Sequence, residues 1–131
     1  MNIGLDGFQK IEAQHKKLEE LMNRVCQTLK KQHRADDYGS DELSGVLTKM
    51  LEFVRFHFVE EEKLMRDCSF DGFQSHKRSH RVLLVKLVEL ERETFIFDES
   101  TKKELLRFLE GDFYYHITED RKIWKKTQLG K

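Results

Sequence analysis

The chain has 131 residues, of which 37% are charged, with 24 basic and 24 acidic side chains. This length suits one domain spanning residues 1–131, and the balanced charge argues against nucleic acid or an anionic membrane as a partner. No apolar run approaches the roughly 18 residues of a membrane span, and no signal peptide is evident. With only Cys26 and Cys68 as thiols, we expect a cytoplasmic protein in a reducing compartment, with Cys68 as a buried thiol that is not a ligand.

Apolar residues recur at spacings of three and four and the chain lacks proline, which predicts an all-α fold. The first helix is predicted over residues 8–32, because Asp6 and Gln9 have the spacing of a capping box. Residues 1–5 are then expected to form an extended arm. Residues 34–40, which are polar and contain a glycine, are the first predicted loop.

A second helix is predicted over residues 41–67, followed by a short turn at 68–70. Asp71 and Gln74 repeat the capping-box spacing, so the third helix is expected over residues 72–94.

The fourth helix is predicted to begin at Thr101, where Glu104 completes another capping box, and to continue toward Trp124. Residues 128–131 are expected to fray. Four long helices with short connections predict an up-down-up-down antiparallel four-helix bundle.

Five of the six histidines fall on apolar helical stripes together with two carboxylates. Residues four apart share one helix face, so paired ligands can point at one centre. Buried imidazoles are costly unless each nitrogen has a partner, and a shared metal ion supplies that partner. Imidazole suits iron, zinc or copper, and a carboxylate can bridge two ions. The candidate ligands are His15, His57, Glu61, His76, His80, His116 and Asp120. The sixth histidine, His33, lies in a polar run and is expected to be solvated.

Four motifs in order resemble the bacterial hemerythrins over nearly the whole chain. Residues 11–18 resemble the first-helix motif of that family, and residues 57–65 match its second-helix signature closely. His76 and His80 supply the paired histidines of the third helix, and His116 opens the fourth-helix motif.

This resemblance implies a non-haem centre of two iron ions, with a bridging oxo or hydroxo group, that binds O₂ directly. It also implies an open position on the iron that has two histidine ligands. By the resemblance, His76, His80 and His116 would hold one iron, His15 and His57 the other, and Glu61 and Asp120 would bridge both.

The chain departs from the family pattern in the fourth helix. The family aspartate usually follows its histidine by five residues, but Asp120 follows His116 by four and Arg121 occupies the usual position. Four helical residues leave Asp120 about 40° from His116, whereas five would leave it about 140° away. Asp120 is therefore expected to reach the site without a helical bulge. Glu119 is the alternative bridging carboxylate.

The first functional hypothesis is a protein that binds O₂ without turnover, as a carrier or store or as an oxygen- or redox-sensing input domain. In the sensing case a C-terminal output domain would follow in a longer protein. The alternative is a di-iron oxidase, peroxidase or nitric-oxide-reactive enzyme, for which nitric oxide or peroxide replaces O₂ as ligand. A third is a structural bundle without metal. Five histidines against two carboxylates favour binding over oxidation.

Overall fold

The computed structural model describes residues 4–31, 41–93 and 99–129. Within these ranges the chain is helical apart from a turn at residues 68–72, so the predicted all-α fold is confirmed. The helices are α1 (Gly4–Lys31), α2 (Asp41–Asp67), α3 (Phe73–Glu93), α4 (Glu99–Phe108) and α5 (Tyr114–Leu129), and a π-helical turn (Leu109–Phe113) joins the last two.

The first helix begins earlier than predicted. Gly4 and Leu5 are helical, so the extended arm expected for residues 1–5 is wrong for these two positions. Asp6 lies in the first turn of α1 instead of preceding the helix. A carboxylate in that position is stabilised by the partial positive charge of the helix N-terminus. The presence of Asp6 near the start of α1 therefore does not require a capping box.

The ends of the fourth helix also differ from the prediction. It begins at Glu99, an acidic residue in the first turn, and therefore two residues before Thr101. Its last part, α5, extends to Leu129, so fraying from residue 128 is wrong for residues 128 and 129. The predicted first loop, including His33, lies outside the described residues, as does the predicted end of α3 at Thr94.

The bounds predicted for α2 agree with the structure, and the turn after it is a Schellman motif. Phe70 N donates to Met65 O at 2.9 Å and Ser69 N donates to Arg66 O at 3.1 Å, which satisfies two terminal carbonyls of α2. Ser69 takes the left-handed conformation, with φ of 56°. The tight reversal fixes where α3 starts and hence where its two histidines lie.

The helices pack as a closed ring. α1 contacts α2 and α5, α2 contacts α3, and α3 contacts α4, so the rod formed by α4, the π turn and α5 closes the bundle between α1 and α3. Among the helices in the described ranges, none is both long enough and apolar enough to cross a membrane.

The interior has two apolar clusters separated by a polar layer. The larger cluster fills most of the bundle, and the smaller one consists of Ile11, Met65 and Trp124 with four partly buried neighbours, three of them phenylalanines. On α1, for example, Ile11 belongs to the small cluster and Leu18 to the large one, and the buried His15 lies between them. Each rod passes through the polar layer in about one helical turn, which brings the layer's side chains to one level of the bundle.

The π turn sets the phase of the fourth rod. Leu105 and Trp124 are both buried although nineteen residues separate them. A regular α-helix turns about 100° per residue, so these side chains would lie about 100° apart. The π turn accommodates one extra residue and removes that difference. The segment between His116 and Asp120 is α-helical, as predicted, but the rod does contain a bulge immediately before α5.

Candidate metal centre

The polar layer consists of the seven candidate ligands, which the structure brings together from all four rods. α1 contributes one, and α2, α3 and α5 contribute two each. Spacing within each helix places paired ligands on one face, and the apolar clusters above and below bury them. The residues are His15 on α1, His57 and Glu61 on α2, His76 and His80 on α3, and His116 and Asp120 on α5.

The carboxylate of Glu61 lies at the middle of the layer and is fully buried. Its Oε1 is 2.9 Å from Nε2 of both His76 and His80. Its Oε2 is 3.2 Å from Nε2 of His15 and 3.5 Å from Nε2 of His57. Because one oxygen faces each histidine group, Glu61 has the orientation of a carboxylate that bridges two ions.

Asp120 also contacts both histidine groups, but its Oδ2 faces one histidine of each group. Oδ1 is 2.7 Å from Nε2 of His76, whereas Oδ2 is 3.3 Å from Nε2 of His15 and 3.6 Å from Nε2 of His116. Asp120 is buried, but the side chain of Glu119 is 42% exposed and its Oε2 lies 3.0 Å from Nζ of Lys122. The geometry thus favours Asp120 over Glu119 as the second bridging residue.

The seven residues form two ligand groups that share both carboxylates. Within each group, one ligand atom from every residue lies within 4.8 Å of those of the others. The larger group has three histidines and the smaller has two. The groups are Glu61, His76, His80, His116 and Asp120, and His15, His57, Glu61 and Asp120.

Unpaired nitrogens show that this layer fits metal ions. The Nδ1 of His57 donates to Oε1 of Gln14 at 2.9 Å, and the Nδ1 of His80 donates to Oε2 of Glu62 at 2.8 Å. Each ring therefore presents Nε2 to the centre, and neither Nε2 has a hydrogen-bond partner. His80 Nε2 nevertheless lies 2.9 Å from an oxygen of Glu61. Two lone pairs this close repel each other unless a cation lies between them.

The pKa values show that the buried carboxylates attract positive charge. Burial lowers the pKa of His15 and His76, but the nearby carboxylates of Asp120 and Glu61 outweigh this effect and raise the two pKa values to about 9 and about 10. Burial raises the pKa of Glu61, but its contacts with four histidines hold it well below the usual range. Burial lowers the pKa of His116 to about 4, which leaves its ring neutral and able to bind a cation.

Sequence reasoning missed three hydrogen bonds to the ligands, made by Gln14, Glu62 and Trp124. Gln14 directly precedes His15 and accepts a hydrogen bond from Nδ1 of His57, which orients that ring. Glu62 directly follows Glu61 and orients His80 in the same way. Trp124 donates from Nε1 to Oε2 of Glu61 at 2.9 Å. The proximity of Gln14 and Glu62 to ligand positions is a signal in the sequence, but it does not say which histidine each would bind.

The two cysteines are buried free thiols outside both ligand groups, and the burial of Cys68 agrees with the prediction. Burial raises the pKa of Cys26 to about 11. The Sγ of Cys68 lies 3.6 Å from the carbonyl oxygen of Met65, at the end of α2.

Arg121, which occupies the usual family position of the aspartate, joins α5 to α1. Its Nε donates to Oε1 of Glu12 at 2.9 Å and its NH1 group donates to Oε2 of Glu19 at 2.6 Å. Glu12 is drawn toward the guanidinium and stays 3.9 Å from Nδ1 of His15. At position 121, where the family pattern usually has the aspartate, this chain therefore has an arginine that joins α5 to α1 through two ion pairs.

Arg121→Met is expected to lower the free energy of unfolding by about 0.5–1 kcal/mol, because two partly exposed ion pairs are lost. The loss should shrink at high salt, and bound metal should be unchanged. Urea unfolding at two salt concentrations measures it. The matched control is Lys122→Met, which removes an exposed pair on the same helix and should have no effect. Loss of metal from Arg121→Met would instead assign Arg121 to the centre.

Comparison with known proteins assigns the chain to a family. The family model for the hemerythrin HHE cation binding domain matches residues 6–127. The chain belongs to the hemerythrin family. This hemerythrin-family chain is 27% identical over 114 residues to a bacteriohemerythrin of Clostridium acetobutylicum, covering 86% of this chain and 87% of that protein. No solved structure gives a significant match.

Two further relatives of this hemerythrin-family chain also carry the name bacteriohemerythrin. The protein of Pseudomonas aeruginosa is 29% identical over 115 residues, covering 87% of this chain and 70% of the relative. The protein of Campylobacter jejuni is 29% identical over 119 residues, covering 88% and 84%. The resemblance inferred from the motifs is thus confirmed at the level of the family.

Proposed function

We propose that this hemerythrin-family protein binds two iron ions in the polar layer and uses them to bind O₂ without turnover, as a carrier or store or as an oxygen-sensing domain. The observation that carries the proposal is the pair of ligand groups that share Glu61 and Asp120. Family membership supports a cation site, and the resemblance to the bacterial hemerythrins implies iron and O₂.

In this proposal each histidine group would hold one ion, and Glu61 and Asp120, which belong to both groups, would contribute to both. The group of His15 and His57 has one imidazole fewer than the other, so it would leave more room for a small exogenous ligand. When bound, ferrous ions supply the electrons that O₂ needs for reversible binding. His76, His80 and His116 complete the donor set of the second ion.

The surrounding residues keep water away from the two-histidine group, whose side chains are each 1% exposed, and hold the carboxylate of Glu61. Ile11, Met65 and Trp124 close one side of the layer, and the large apolar cluster closes the other. The indole N–H of Trp124 fixes Oε2 of Glu61, the oxygen that faces the two-histidine group. Dry surroundings limit loss of an oxidised ligand, which a reversible O₂ binder requires.

A donor set rich in neutral imidazole favours binding over oxidation. Five histidines accompany two carboxylates, whereas the oxidising di-iron enzymes built on four-helix bundles use carboxylate-rich sites. Neutral ligands compensate less of the positive charge on iron, which disfavours its higher oxidation states. A main role as an enzyme is therefore not part of this proposal.

Anaerobic titration with Fe²⁺ is expected to end at two iron ions per chain. Trp124 is the only tryptophan and contacts Glu61 directly, so its fluorescence should fall as iron binds. O₂ should then produce visible charge-transfer bands that disappear when O₂ is removed. An endpoint of one iron would contradict the proposal, and bands that decay with consumption of a reductant would favour the oxidase alternative.

A further inference from the structure

A groove between α3 and α5 leads from the surface to the three-histidine group. It encloses about 600 Å³, and its deepest lining residues are His76, His116 and Asp120. Its walls include Arg78 and Val82 on α3 and Glu119 on α5. None of these wall residues belongs to the ligand groups.

Exposure of the ligands is uneven in a way that matches this groove. The side chains of His76 and His116 are 10% and 14% exposed, whereas those of His15 and His57 are each 1% exposed. Solvent therefore reaches the layer on the three-histidine side, at the floor of the groove.

Unpartnered buried atoms line that floor. Asp120 is 1% exposed and its Oδ1 has no hydrogen-bond partner, although it lies 2.7 Å from the Nε2 of His76, which hydrogen-bonds to Glu61. The Nε2 of His116 also has no hydrogen-bond partner. A cation that reaches the floor thus meets an oxygen and a nitrogen that are ready to bind it.

The charge of the walls favours a cation over an anion. Asp112, Glu119 and Asp120 line the groove together with the cation Arg78, which gives these four side chains a formal charge of −2. A protonated His76 at the floor reduces the charge to −1, which is still negative. Opposite charge along a cleft raises the association rate of a small ion.

A second groove, between α2 and α3, has the opposite charge. It encloses about 360 Å³ and is lined by Arg55, Lys77 and Arg81 against Glu62. It reaches only the far side of His80, where Nδ1 already donates to Glu62. This route would repel a cation and offers it no free ligand atom.

We propose that the groove between α3 and α5 is the path by which divalent metal ions enter and leave the centre, with Glu119 as the carboxylate that receives them at its mouth. The proposal rests on the proposed function, since it requires a metal centre. Glu119 is 42% exposed and forms an ion pair with Lys122 on the same helix, so it can exchange that partner for an incoming ion.

The first test measures Co²⁺ binding by stopped-flow absorbance, with Co²⁺ as a probe that is stable in air. Glu119→Gln is expected to slow association about 3- to 10-fold, to do so less at high salt, and to leave the amount bound at saturation unchanged. The matched control is Glu110→Gln, because Glu110 also pairs with a lysine at 3.0 Å but does not line the groove. Equal association rates for Glu119→Gln and wild type would overturn the role of Glu119.

The second test narrows each groove in turn. Val82 lines the α3–α5 groove and Val85 lines the α2–α3 groove, and both are exposed on α3. Val82→Phe should slow both Co²⁺ entry and its removal by a chelator, whereas Val85→Phe should change neither. The reverse result would place the path in the α2–α3 groove and overturn the proposal. Failure of the wild-type chain to bind Co²⁺ would overturn the metal centre itself.

Discussion

Glu61→Gln is expected to abolish tight binding of both metal ions, with affinity falling by more than about 100-fold, the upper end of the range for losing an outer hydrogen-bond partner. Each oxygen of Glu61 faces a different histidine group, so one substitution weakens both sites. Glutamine keeps the shape but offers one neutral oxygen and an N–H₂ group that cannot bind a cation. Iron per chain, measured by mass spectrometry after reconstitution and gel filtration, should fall from two toward zero.

The control is Glu60→Gln, the same change one residue earlier. Glu60 lies on the surface, where Oε1 pairs with Nζ of Lys10 at 2.6 Å, and it belongs to neither ligand group. Its iron content should equal that of wild type. Circular dichroism should show both variants helical. If Glu61→Gln retained two iron ions, Glu61 would not be a bridging ligand.

Deletion of Gly111 is expected to turn the buried faces of α4 and α5 to different sides of the fourth rod. Without the extra residue the π turn becomes an α turn, and α5 rotates by about 100° relative to α4. Either Leu105 and Phe108 or Asp120 and Trp124 must then leave the interior. The free energy of unfolding should fall by about 3 kcal/mol or more, comparable with losing a large buried side chain, and bound iron should be lost.

The matched control is Gly111→Ala, which changes the same residue but keeps the length of the turn. A Cβ at this position meets no atom within 4 Å, so the larger residue fits. Alanine favours helix over glycine by up to about 1 kcal/mol, and iron content should not change. Urea unfolding and iron analysis of both variants measure the difference. A deletion variant that kept both stability and iron would show that the π turn does not set the phase.

The sequence was sufficient for the fold because the relevant information is local. Helical periodicity depends only on residues three and four apart, so the rods and their buried faces could be read directly. The same rule placed His57 with Glu61 and His76 with His80 on shared faces. Helix ends were predicted less well, as at Gly4 and Leu129, because capping patterns and first-turn charges each permit a shift of a few residues.

The π turn could have been suspected but not located from the sequence. The apolar stripe of the fourth rod continues from Leu105 to Trp124, a distance that a regular α-helix cannot keep on one face. That mismatch signals an extra residue somewhere. The position of the extra residue depends on which turn can widen against the neighbouring helices. The periodicity of a single helix carries no information about those neighbours.

By itself, the sequence determined the all-α class and the five histidines and Glu61 of the polar layer, since these follow from spacing along the chain, and its motifs indicated the family. It left Asp120 and Glu119 as alternatives for the seventh residue. Tertiary structure alone decided which oxygen of Glu61 faces which histidine group, that Gln14 and Glu62 orient two of the rings, and that Arg121 binds α1. These contacts join different rods. Their geometry depends on the axial offset and rotation between helices, which the packing of the two apolar clusters and the π turn fix together.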